Sequence, residues 1–393
     1  MERGGLSGRG RVAVFAAAVT LVLLIAVEPA AAAGNRSRSR ATPLTRAVER
    51  VMRQASIPGA LVGVWQRGAA PYVKAFGVRD KRTGQPMRTG LYMRIGSETK
   101  TFVGTALLQL VDRGKIALDS PISAYLRGVP HGNEITIREL ADMRSGLLNY
   151  TSNPTFARAW FASPRRVWTP RQLLGYSFRK PLTSPPGTSY DYSNTNTVLL
   201  GLVVQKVSHE SLAGYIKRHI LEPDHLAHTS FPSGTRFPTP HAQGYTNNTV
   251  KCLVSGGRAC RRIRNATNWS PSWGWAAAAM ISTLGDLHRW ARDVATGKLL
   301  SPASQRQRLR FNPTGVRHVG YGIGLADSNG WIGHNGGVPG YQSLTIYLPS
   351  ARATIVVLIN TNVNPPAARH PLVNRLGRSI TRIITPTHVY APW

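Results

Sequence analysis

The chain has 393 residues, of which 42% are hydrophobic and 17% are charged. This composition predicts a globular protein with a large buried core and excludes a disordered chain or a collagen-like fibre. Lysine and arginine outnumber aspartate and glutamate by 49 to 17, which gives a formal net charge of +32. A charge of this size attracts polyanions. The basic residues are nevertheless scattered, apart from short clusters at residues 36–40 and 258–264, so a coding bias towards arginine explains the charge equally well.

The N-terminus has the three parts of a secretory signal peptide. Arg3, Arg9 and Arg11 precede an apolar run at residues 12–27, and small residues at 30–33 follow it. The run is shorter than the ~20 residues that span a bilayer comfortably, although a retained membrane anchor is the alternative. We therefore expect residues 1–33 to be a signal peptide cleaved after Ala33, and the mature protein to be secreted or associated with the cell wall, with no stable membrane span.

Export also limits the polyanions that the positively charged protein can meet. An exported protein rarely meets nucleic acid, so we expect no nucleic-acid partner and regard anionic cell-wall polymers or lipid head groups as the better match. Cys252 and Cys260, the two cysteines of the chain, have seven residues between them. In an oxidising compartment this spacing predicts one disulfide that closes a surface loop, and too few further ligands lie nearby for a metal site.

The first predicted elements lead to a helix that begins at a serine. Residues 34–42 contain few apolar side chains and are predicted to be a flexible stub. Helical spacing follows over residues 44–52, and strands are predicted at 61–65 and 72–76. A short apolar run at residues 92–95 then leads to Ser97, where a helix is predicted to begin; Gly114 is well placed to end it.

Helical patterns fill the middle of the chain and strand patterns return near its end. The clearest helices are predicted at 136–143, 170–176, 197–207, 212–220 and 284–294, strands at 321–325, 343–348 and 354–359, and a closing helix at 372–384. Strands at both ends predict an α+β (α/β) fold in which a central antiparallel sheet, flanked by helices, is built from both chain ends. Residues 43–393 then form a single domain, with sheet parts at 43–114 and 320–393 and a mostly helical inserted region at 115–319.

The first motif with chemical meaning is Ser97-Glu98-Thr99-Lys100. A hydroxyl is a poor nucleophile until a base takes its proton. On a helix, a lysine three residues after a serine lies on the same face, and burial favours its neutral form. Free N–H groups at the start of the helix can also face a developing oxyanion. The same spacing recurs at Ser177–Lys180, but Pro181 prevents a helix from continuing there.

The second motif is Tyr192-Ser193-Asn194. A phenol near a lysine can relay protons, and an asparagine amide can hold the lysine and a substrate carbonyl. The motif follows a turn and precedes a predicted helix, which places Tyr192 at a junction where side chains project into clefts. An ordinary helix cap explains Ser193 or Asn194 but not the tyrosine. A second match, Tyr245-Thr246-Asn247, lacks this context.

The third motif is His334-Asn335-Gly336-Gly337. Glycines allow a strand backbone to approach a ligand closely, and one N–H here could complete an oxyanion hole with Ser97. His334 could supply a positive or hydrogen-bonding group at the rear of the site. A structural histidine in a turn is the alternative for His334, and the chain has a further match at His318–Gly320.

In this order and context, the three motifs resemble those of the serine penicillin-recognising enzymes. These include soluble exported D-alanyl-D-alanine carboxypeptidases, class C β-lactamases and related esterases. The segments at residues 92–100, 114–126, 135–147 and 276–287 resemble the same family, so that the resemblance covers about residues 44–360. It implies a β-lactamase/transpeptidase-like fold and a hydrolase that needs no cofactor and no metal.

The resemblance also implies a role for each motif residue. Ser97 is the acylated nucleophile, and Lys100 and Tyr192 share the base and acid roles in an undecided order. Asn194 orients Lys100 and the substrate amide, and His334 stands where the family has lysine or histidine. The backbone N–H groups of Ser97 and Gly337 form the oxyanion hole, so that the third motif, residues 334–337, becomes part of the substrate-binding site.

One departure from the family pattern bears on the substrate. Hydroxyl residues that help to hold a substrate carboxylate are replaced by Asn335 and Gly337. A D-alanyl-D-alanine carboxypeptidase-like enzyme that acts on peptidoglycan stem peptides is the first hypothesis. An esterase or β-lactamase on the same fold, acting on small esters or amides including other D-amino-acid amides, is the second. A non-catalytic cell-wall-binding protein is the third, and it has no need of the intact set of Ser97, Lys100, Tyr192 and Asn194.

Overall fold

The computed structural model describes residues 30–254, 260, 262–365 and 370–393, with side chains described from residue 41 onward. The predicted signal peptide lies outside the described residues up to position 29. In the part of the chain that is described, no helix is both long enough and apolar enough to cross a membrane. The signal peptide and the secreted location remain predictions.

Helices and strands occupy the chain in the order that the sequence patterns indicate. The helices are α1 (Ala30–Ala55), α2 (Thr99–Asp112), α3 (Ile137–Ala141), α4 (Pro154–Ala162), α5 (Pro170–Phe178), α6 (Asn194–Ser208), α7 (Leu212–Ile216), α8 (Val250–Val254), α9 (Leu284–Thr296), α10 (Pro302–Arg308) and α11 (Leu372–Ile384). The strands are β1 (Gly59–Gln66), β2 (Tyr72–Gly77), β3 (Met93–Arg94), β4 (Tyr245–Thr246), β5 (Arg264–Asn265), β6 (Ile281–Ser282), β7 (Asn312–Pro313), β8 (Val319–Tyr321), β9 (Ala326–Ser328), β10 (Trp331–Val338), β11 (Tyr341–Leu348) and β12 (Ala353–Ile359).

Eight of these strands form one antiparallel sheet in the order β2-β1-β12-β11-β10-β9-β8-β7. The N-terminal strand β1 pairs with the last strand β12, with Val62 opposite Val357. This pairing closes the sheet from both ends of the chain, as the sequence predicted. Strand β9 covers only the first three residues of β10, so that the second half of β10, which carries the third motif, lies at an open edge.

Both faces of the sheet are buried, which gives the molecule three layers. Alternate residues of β12 point to opposite sides: Ile355 and Val357 pack with α1 and α11, and Val356 and Leu358 pack with the larger helical part. Central strands buried on both faces are continuously apolar, and the β12 sequence Ala-Thr-Ile-Val-Val-Leu-Ile follows this rule. Helix α2 crosses the core on the side of the larger helical part, where its twelve residues from Thr99 to Leu110 are all buried.

Two segments differ from the sequence predictions. Helix α1 begins at Ala30 and so includes residues 34–42, where a flexible stub was expected. The strand predicted at 321–325 is wrong beyond Tyr321, because the chain bends there and the Gly322 amide donates to the Leu325 carbonyl at 2.9 Å. Gly324, at φ +72°, lies so close to α2 that a Cβ would be 2.5 Å from the Lys100 carbonyl. The apolar run therefore reflects burial against α2 and not a strand.

The structure contains the predicted disulfide between Cys252 and Cys260. Cys252 lies in the short helix α8, and the residues between 254 and 260 lie outside the described part of the chain. The disulfide therefore joins two cysteines that are close in the sequence, as their spacing indicated.

Candidate active site

Ser97 lies in a tight turn between β3 and α2. Residues Gly96–Glu98 form one 3₁₀ turn, and α2 begins at Thr99. The Thr99 hydroxyl donates to the Gly96 carbonyl at 2.7 Å, and the Ser343 hydroxyl of β11 donates to the Ile95 carbonyl at 2.8 Å. These two bonds fix the backbone on either side of Ser97, which itself stays half-buried at the edge of a cavity.

Lys100 follows one turn later and is only 1% exposed. Its Nζ lies 3.2 Å from the Ser97 Oγ, and it donates to the Asn194 Oδ1 at 2.7 Å and to the Ala277 carbonyl at 3.0 Å. Burial lowers the pKa of Lys100 well below its usual 10.5, because removal from water disfavours the charged form. A neutral amine has two N–H groups and one lone pair. Two carbonyl-type oxygens accept the N–H groups, which leaves the lone pair for the Ser97 hydroxyl.

Asn194 is held from both sides at the start of α6. Its backbone N–H donates to the Asn149 Oδ1 at 3.2 Å, and its side-chain Nδ2 donates to the Thr151 Oγ1 at 3.2 Å. The amide is thereby oriented with its oxygen towards Lys100. The helix start predicted at residue 197 begins three residues earlier, because Ser193 with its extended backbone is the N-cap.

Tyr192 lies beside Ser97 and Lys100. The Lys100 Nζ lies 4.8 Å from the centre of the Tyr192 ring, and the phenol hydrogen-bonds with the Ser97 side chain. Burial raises the pKa of Tyr192 above its usual 10.0, although the bond to Ser97 opposes the shift. Tyr192 is therefore a phenol at neutral pH and is suited to pass a proton, whereas Lys100 is suited to accept the first one.

The third motif forms the opposite wall of the site. Gly96 has φ +52°, and a Cβ there would lie 2.6 Å from the Gly337 amide nitrogen, so that the turn of Ser97 and strand β10 touch backbone to backbone. A Cβ on Gly336 would lie 2.0 Å from the Ile95 carbonyl. Glycine at these positions allows the close approach that brings the Gly337 amide next to Ser97, as an oxyanion hole requires.

His334 takes a different place from its neighbours in the motif. It is 1% exposed, and its Nε2 lies 3.1 Å from the Tyr321 hydroxyl. Burial, with the charge of Lys100 as a smaller cause, lowers the pKa of His334 to about 3. The ring is therefore neutral and supports the site from behind Tyr192, so that the positive charge expected as one alternative is not supported by this environment.

A cavity of about 340 Å³ opens onto Ser97. Asn335 lies in its wall, where its Nδ2 donates to the Asn374 Oδ1 at 3.1 Å. None of the described side chains that line the cavity carries a charge; they belong to Ser97, Tyr190, Tyr192, Thr314, Val316, Asn335, Pro371 and Trp393.

The structure thus brings Ser97, Lys100, Tyr192 and Asn194 together, with Asn335 and the two glycines on the facing strand. The competing matches lie elsewhere: Tyr245, for example, accepts from the Lys81 amide at 2.7 Å. Several site residues were missed by the sequence argument. Ala277 contributes a backbone carbonyl, which no side-chain pattern can indicate. The fold brings four further residues to the site from other parts of the chain: Asn149, Thr151, Tyr190 and Trp393.

Comparison with known families and proteins agrees with this geometry. A family model described as Beta-lactamase matches residues 44–378. Protein flp of Staphylococcus aureus strain MRSA252 is 26% identical over 333 residues, which is 80% of this chain and 62% of flp. The putative penicillin-binding protein PbpX of Bacillus subtilis strain 168 is 25% identical over 297 residues, 74% of this chain and 68% of that protein. The chain therefore spans less than two thirds of the length of flp.

Solved structures resemble the whole fold. A D-stereospecific amidohydrolase from a Streptomyces species is 27% identical with a TM-score of 0.76, and the match covers 88% of this chain and 99% of that one. A D-amino acid amidase from Ochrobactrum anthropi SV3 has a TM-score of 0.76 at 23% identity, with 89% and 99% of the two chains covered. A penicillin-binding protein homologue from Pyrococcus abyssi has a TM-score of 0.72 at 23% identity, with 87% and 77% covered.

Proposed function

Because the chain belongs to the Beta-lactamase family of serine hydrolases, we propose that it is an exported enzyme that hydrolyses amides, peptides or esters of D-amino acids through an acyl-enzyme on Ser97. The observation that carries this proposal is the buried Lys100 amine, 3.2 Å from the Ser97 hydroxyl and hydrogen-bonded to two carbonyl-type oxygens. A binding protein has no need of such an arrangement.

In the acylation step, the Lys100 lone pair accepts the Ser97 proton while the Ser97 Oγ forms a bond to the substrate carbonyl carbon. The negative charge that develops on the carbonyl oxygen is stabilised by the backbone N–H groups of Ser97 and Gly337. Collapse of the tetrahedral intermediate breaks the bond to the leaving amine or alcohol. Tyr192, a phenol beside Ser97, donates its proton to that leaving group and is reprotonated from the Lys100 ammonium.

Deacylation repeats the same steps with water as the nucleophile. The water gives a proton to the Lys100 amine while its oxygen attacks the acyl carbon. When the tetrahedral intermediate collapses, the bond to the Ser97 oxygen breaks, and that oxygen takes the proton back from the site. Asn194 keeps the Lys100 amine in place throughout, because its own amide is held by Asn149 and Thr151. The reaction consumes one water and releases one acid and one amine or alcohol.

The cavity favours a substrate that has no charged group next to the carbonyl that Ser97 attacks. The described side chains of its wall are uncharged, and His334 is a neutral ring behind it. A substrate carboxylate would lose its hydration there without gaining a cation, which is unfavourable. The similarity at 27% identity to a D-stereospecific amidohydrolase supports the same substrate class.

A D-alanyl-D-alanine carboxypeptidase acting on peptidoglycan stem peptides is the second candidate. The net charge of +32 favours it, because a positive field concentrates the enzyme at an anionic cell wall. The likeness to PbpX, named as a putative penicillin-binding protein, favours it as well. A β-lactamase or an esterase on the same scaffold would use the same first step and would differ in the rate of deacylation.

The test compares purified mature protein with its Ser97→Ala variant on four substrates: a D-amino acid amide, its L-enantiomer, a stem pentapeptide ending in D-alanyl-D-alanine, and a fluorescent penicillin. Selective, Ser97-dependent release of ammonia from the D-amide supports the proposal. Release of D-alanine from the pentapeptide with stable penicillin labelling assigns the carboxypeptidase instead, and fast turnover of the penicillin assigns a β-lactamase. Binding of the pentapeptide without any turnover contradicts an enzymatic role.

A further inference from the structure

The segment that follows α11 returns to the active site. After Ile384 the chain turns back along β9 and β10 and is held there by side chains of the sheet. The Trp331 indole donates to the His388 carbonyl at 2.7 Å, and the Asn329 amide donates to the Val389 carbonyl at 3.1 Å. The Ser328 hydroxyl bonds both the N–H and the carbonyl of Ala391 at 2.9 Å. These bonds fix the direction of the chain as it reaches residue 393.

Trp393 is thereby delivered to the wall of the cavity that contains Ser97. Its main-chain oxygen accepts from the Asn374 Nδ2 at 2.9 Å, and from the Asn335 Nδ2 at 3.4 Å. Its ring centre lies 5.1 Å from that of His334 and 5.9 Å from that of Tyr321. Both the backbone and the ring of Trp393 are therefore positioned by neighbours, and the ring remains only partly buried.

Tyr321 also supports a second ring of the same wall. The centres of Tyr190 and Tyr321 lie 5.7 Å apart, so that one fully buried tyrosine stands behind both Tyr190 and Trp393. The two outer rings, together with Val316, give the cavity an apolar surface beside the reacting carbonyl. Rings fixed from behind form a preorganised surface that pays little entropy on binding. Such surfaces favour flat, apolar groups, because aromatic pairs add an attraction beyond the area that they bury.

We propose that Trp393 is a specificity-determining residue, which forms with Tyr190 an apolar subsite for the side chain of the substrate's D-amino acid and sets the size of side chain that the enzyme accepts. This inference rests on the proposed function. Substrates with a bulky apolar or aromatic side chain are preferred over those with a methyl group. Trp393 takes no part in proton transfer, since its ring contacts neither Lys100 nor Ser97 by hydrogen bond.

The test compares kcat/KM for D-phenylalaninamide and D-alaninamide in the wild type, Trp393→Ala and Trp393→Phe. Removal of the ring is expected to lower kcat/KM for D-phenylalaninamide about 10-fold or more, mainly through KM, which is the range for lost apolar contact in a pocket. D-alaninamide is expected to change by less than about threefold, because its methyl group does not reach the ring. Trp393→Phe, which keeps a flat ring, is expected to retain most of the preference.

A structural role for Trp393 predicts another pattern. Equal losses on both amides, dominated by kcat, would overturn the proposal, as would an unchanged preference in Trp393→Ala. If a thermal unfolding measurement shows that Trp393→Ala is not folded, Trp393→Leu, which keeps a bulky side chain but no aromatic ring, replaces it. The same selective loss on D-phenylalaninamide is expected.

Failure of the proposed function is recognised separately. A wild type that hydrolyses neither amide refutes amide hydrolysis, and the subsite is then tested with p-nitrophenyl phenylacetate and p-nitrophenyl acetate by the burst of nitrophenol that accompanies acylation of Ser97. A phenylacetate preference that disappears in Trp393→Ala supports the subsite even then. Equal acylation by both esters, or none, overturns it.

Discussion

The Lys100 Nζ and the Asn194 Oδ1 lie 2.7 Å apart, although 94 positions separate the two residues in the chain. Helix α2 carries the first and the start of helix α6 carries the second, and the two helices pack against each other in the larger core. The contact joins the first two sequence motifs into one site. It also engages one N–H of the buried amine, on which the chemistry of Ser97 depends.

The buried lysine predicts the acid limb of the pH profile. Because burial lowers the pKa of Lys100, the amine is neutral and competent above that lowered pKa, and activity is lost as the pH falls through it. Arginine keeps its charge at all accessible pH values. Lys100→Arg is therefore expected to reduce kcat about 10³-fold, the range for a lost general base, at every pH between 6 and 9. Steady-state kinetics of the wild type and Lys100→Arg on the best amide or ester substrate measures kcat across this pH range.

Stability gives an independent check on the same residue. The unfolded chain holds the Lys100 proton up to the usual 10.5 whereas the folded chain has released it, so the unfolded state binds more protons between the two pKa values. Wild-type stability relative to Lys100→Met should therefore rise with pH in that window. Thermal unfolding of both proteins at several pH values measures the difference, and a gap between them that stays constant with pH would show that Lys100 is charged in the folded protein.

His334 is expected to leave the pH profile unchanged. Burial and the nearby Lys100 lower its pKa to about 3, so that its ring is already neutral throughout the pH range in which the enzyme works. His334→Gln removes the contact with the Tyr321 hydroxyl and should lower kcat/KM by a similar factor at each pH. A shift of the acid limb in His334→Gln would instead identify His334 as a titrating member of the site.

The sequence was sufficient to predict the architecture and to select side chains that the fold brings together at Ser97, because each leaves a local pattern. The apolar run of β12 predicts a central strand, and the spacing of Ser97 and Lys100 on a helix predicts their contact. The other residues of the site could not be predicted, because they reach it through contacts between segments that are distant in the sequence. Ala277 supplies only a backbone carbonyl to the site, and Trp393 reaches the cavity through hydrogen bonds from β9 and β10. The bend after Tyr321 was misassigned because burial against α2 and burial in a sheet produce the same apolar run.

Substitution of Gly336 is predicted to destabilise the fold, whereas substitution of Gly337 is not. A Cβ on Gly336 would lie 2.0 Å from the Ile95 carbonyl and 2.4 Å from the Ser343 Oγ, whereas one on Gly337 has no atom within 4 Å. Gly336→Ala must therefore push β10 away from the Ser97 turn, with a loss of about 1–3 kcal/mol of unfolding free energy and of activity. Gly337→Ala is the matched control for stability and should unfold at the wild-type temperature. Equal unfolding temperatures for both variants would contradict the close backbone contact.

Glu98, the residue after Ser97, predicts a loss of stability at alkaline pH. Its side chain is 1% exposed; burial raises its pKa from the usual 4.5 to about 8, and the hydroxyls of Ser343 and Thr345 oppose the shift. The folded protein therefore binds the proton that the unfolded chain has released between these two values. The stabilisation is complete below pH 4.5 and declines as the pH rises to about 8, by at most ~5 kcal/mol.

Glu98→Gln keeps the shape of the neutral acid and cannot ionise. Wild type should therefore lose unfolding temperature relative to Glu98→Gln between pH 6 and 9, and above pH 8 it should lose activity as well, because the ionised carboxylate disturbs the turn that carries Ser97. Glu222→Gln, a change of an exposed carboxylate, is the matched control and should follow the wild type. If the unfolding temperatures of wild type and Glu98→Gln remain parallel across this range, Glu98 is already ionised in the folded protein, and a cation or a water must lie within reach of it.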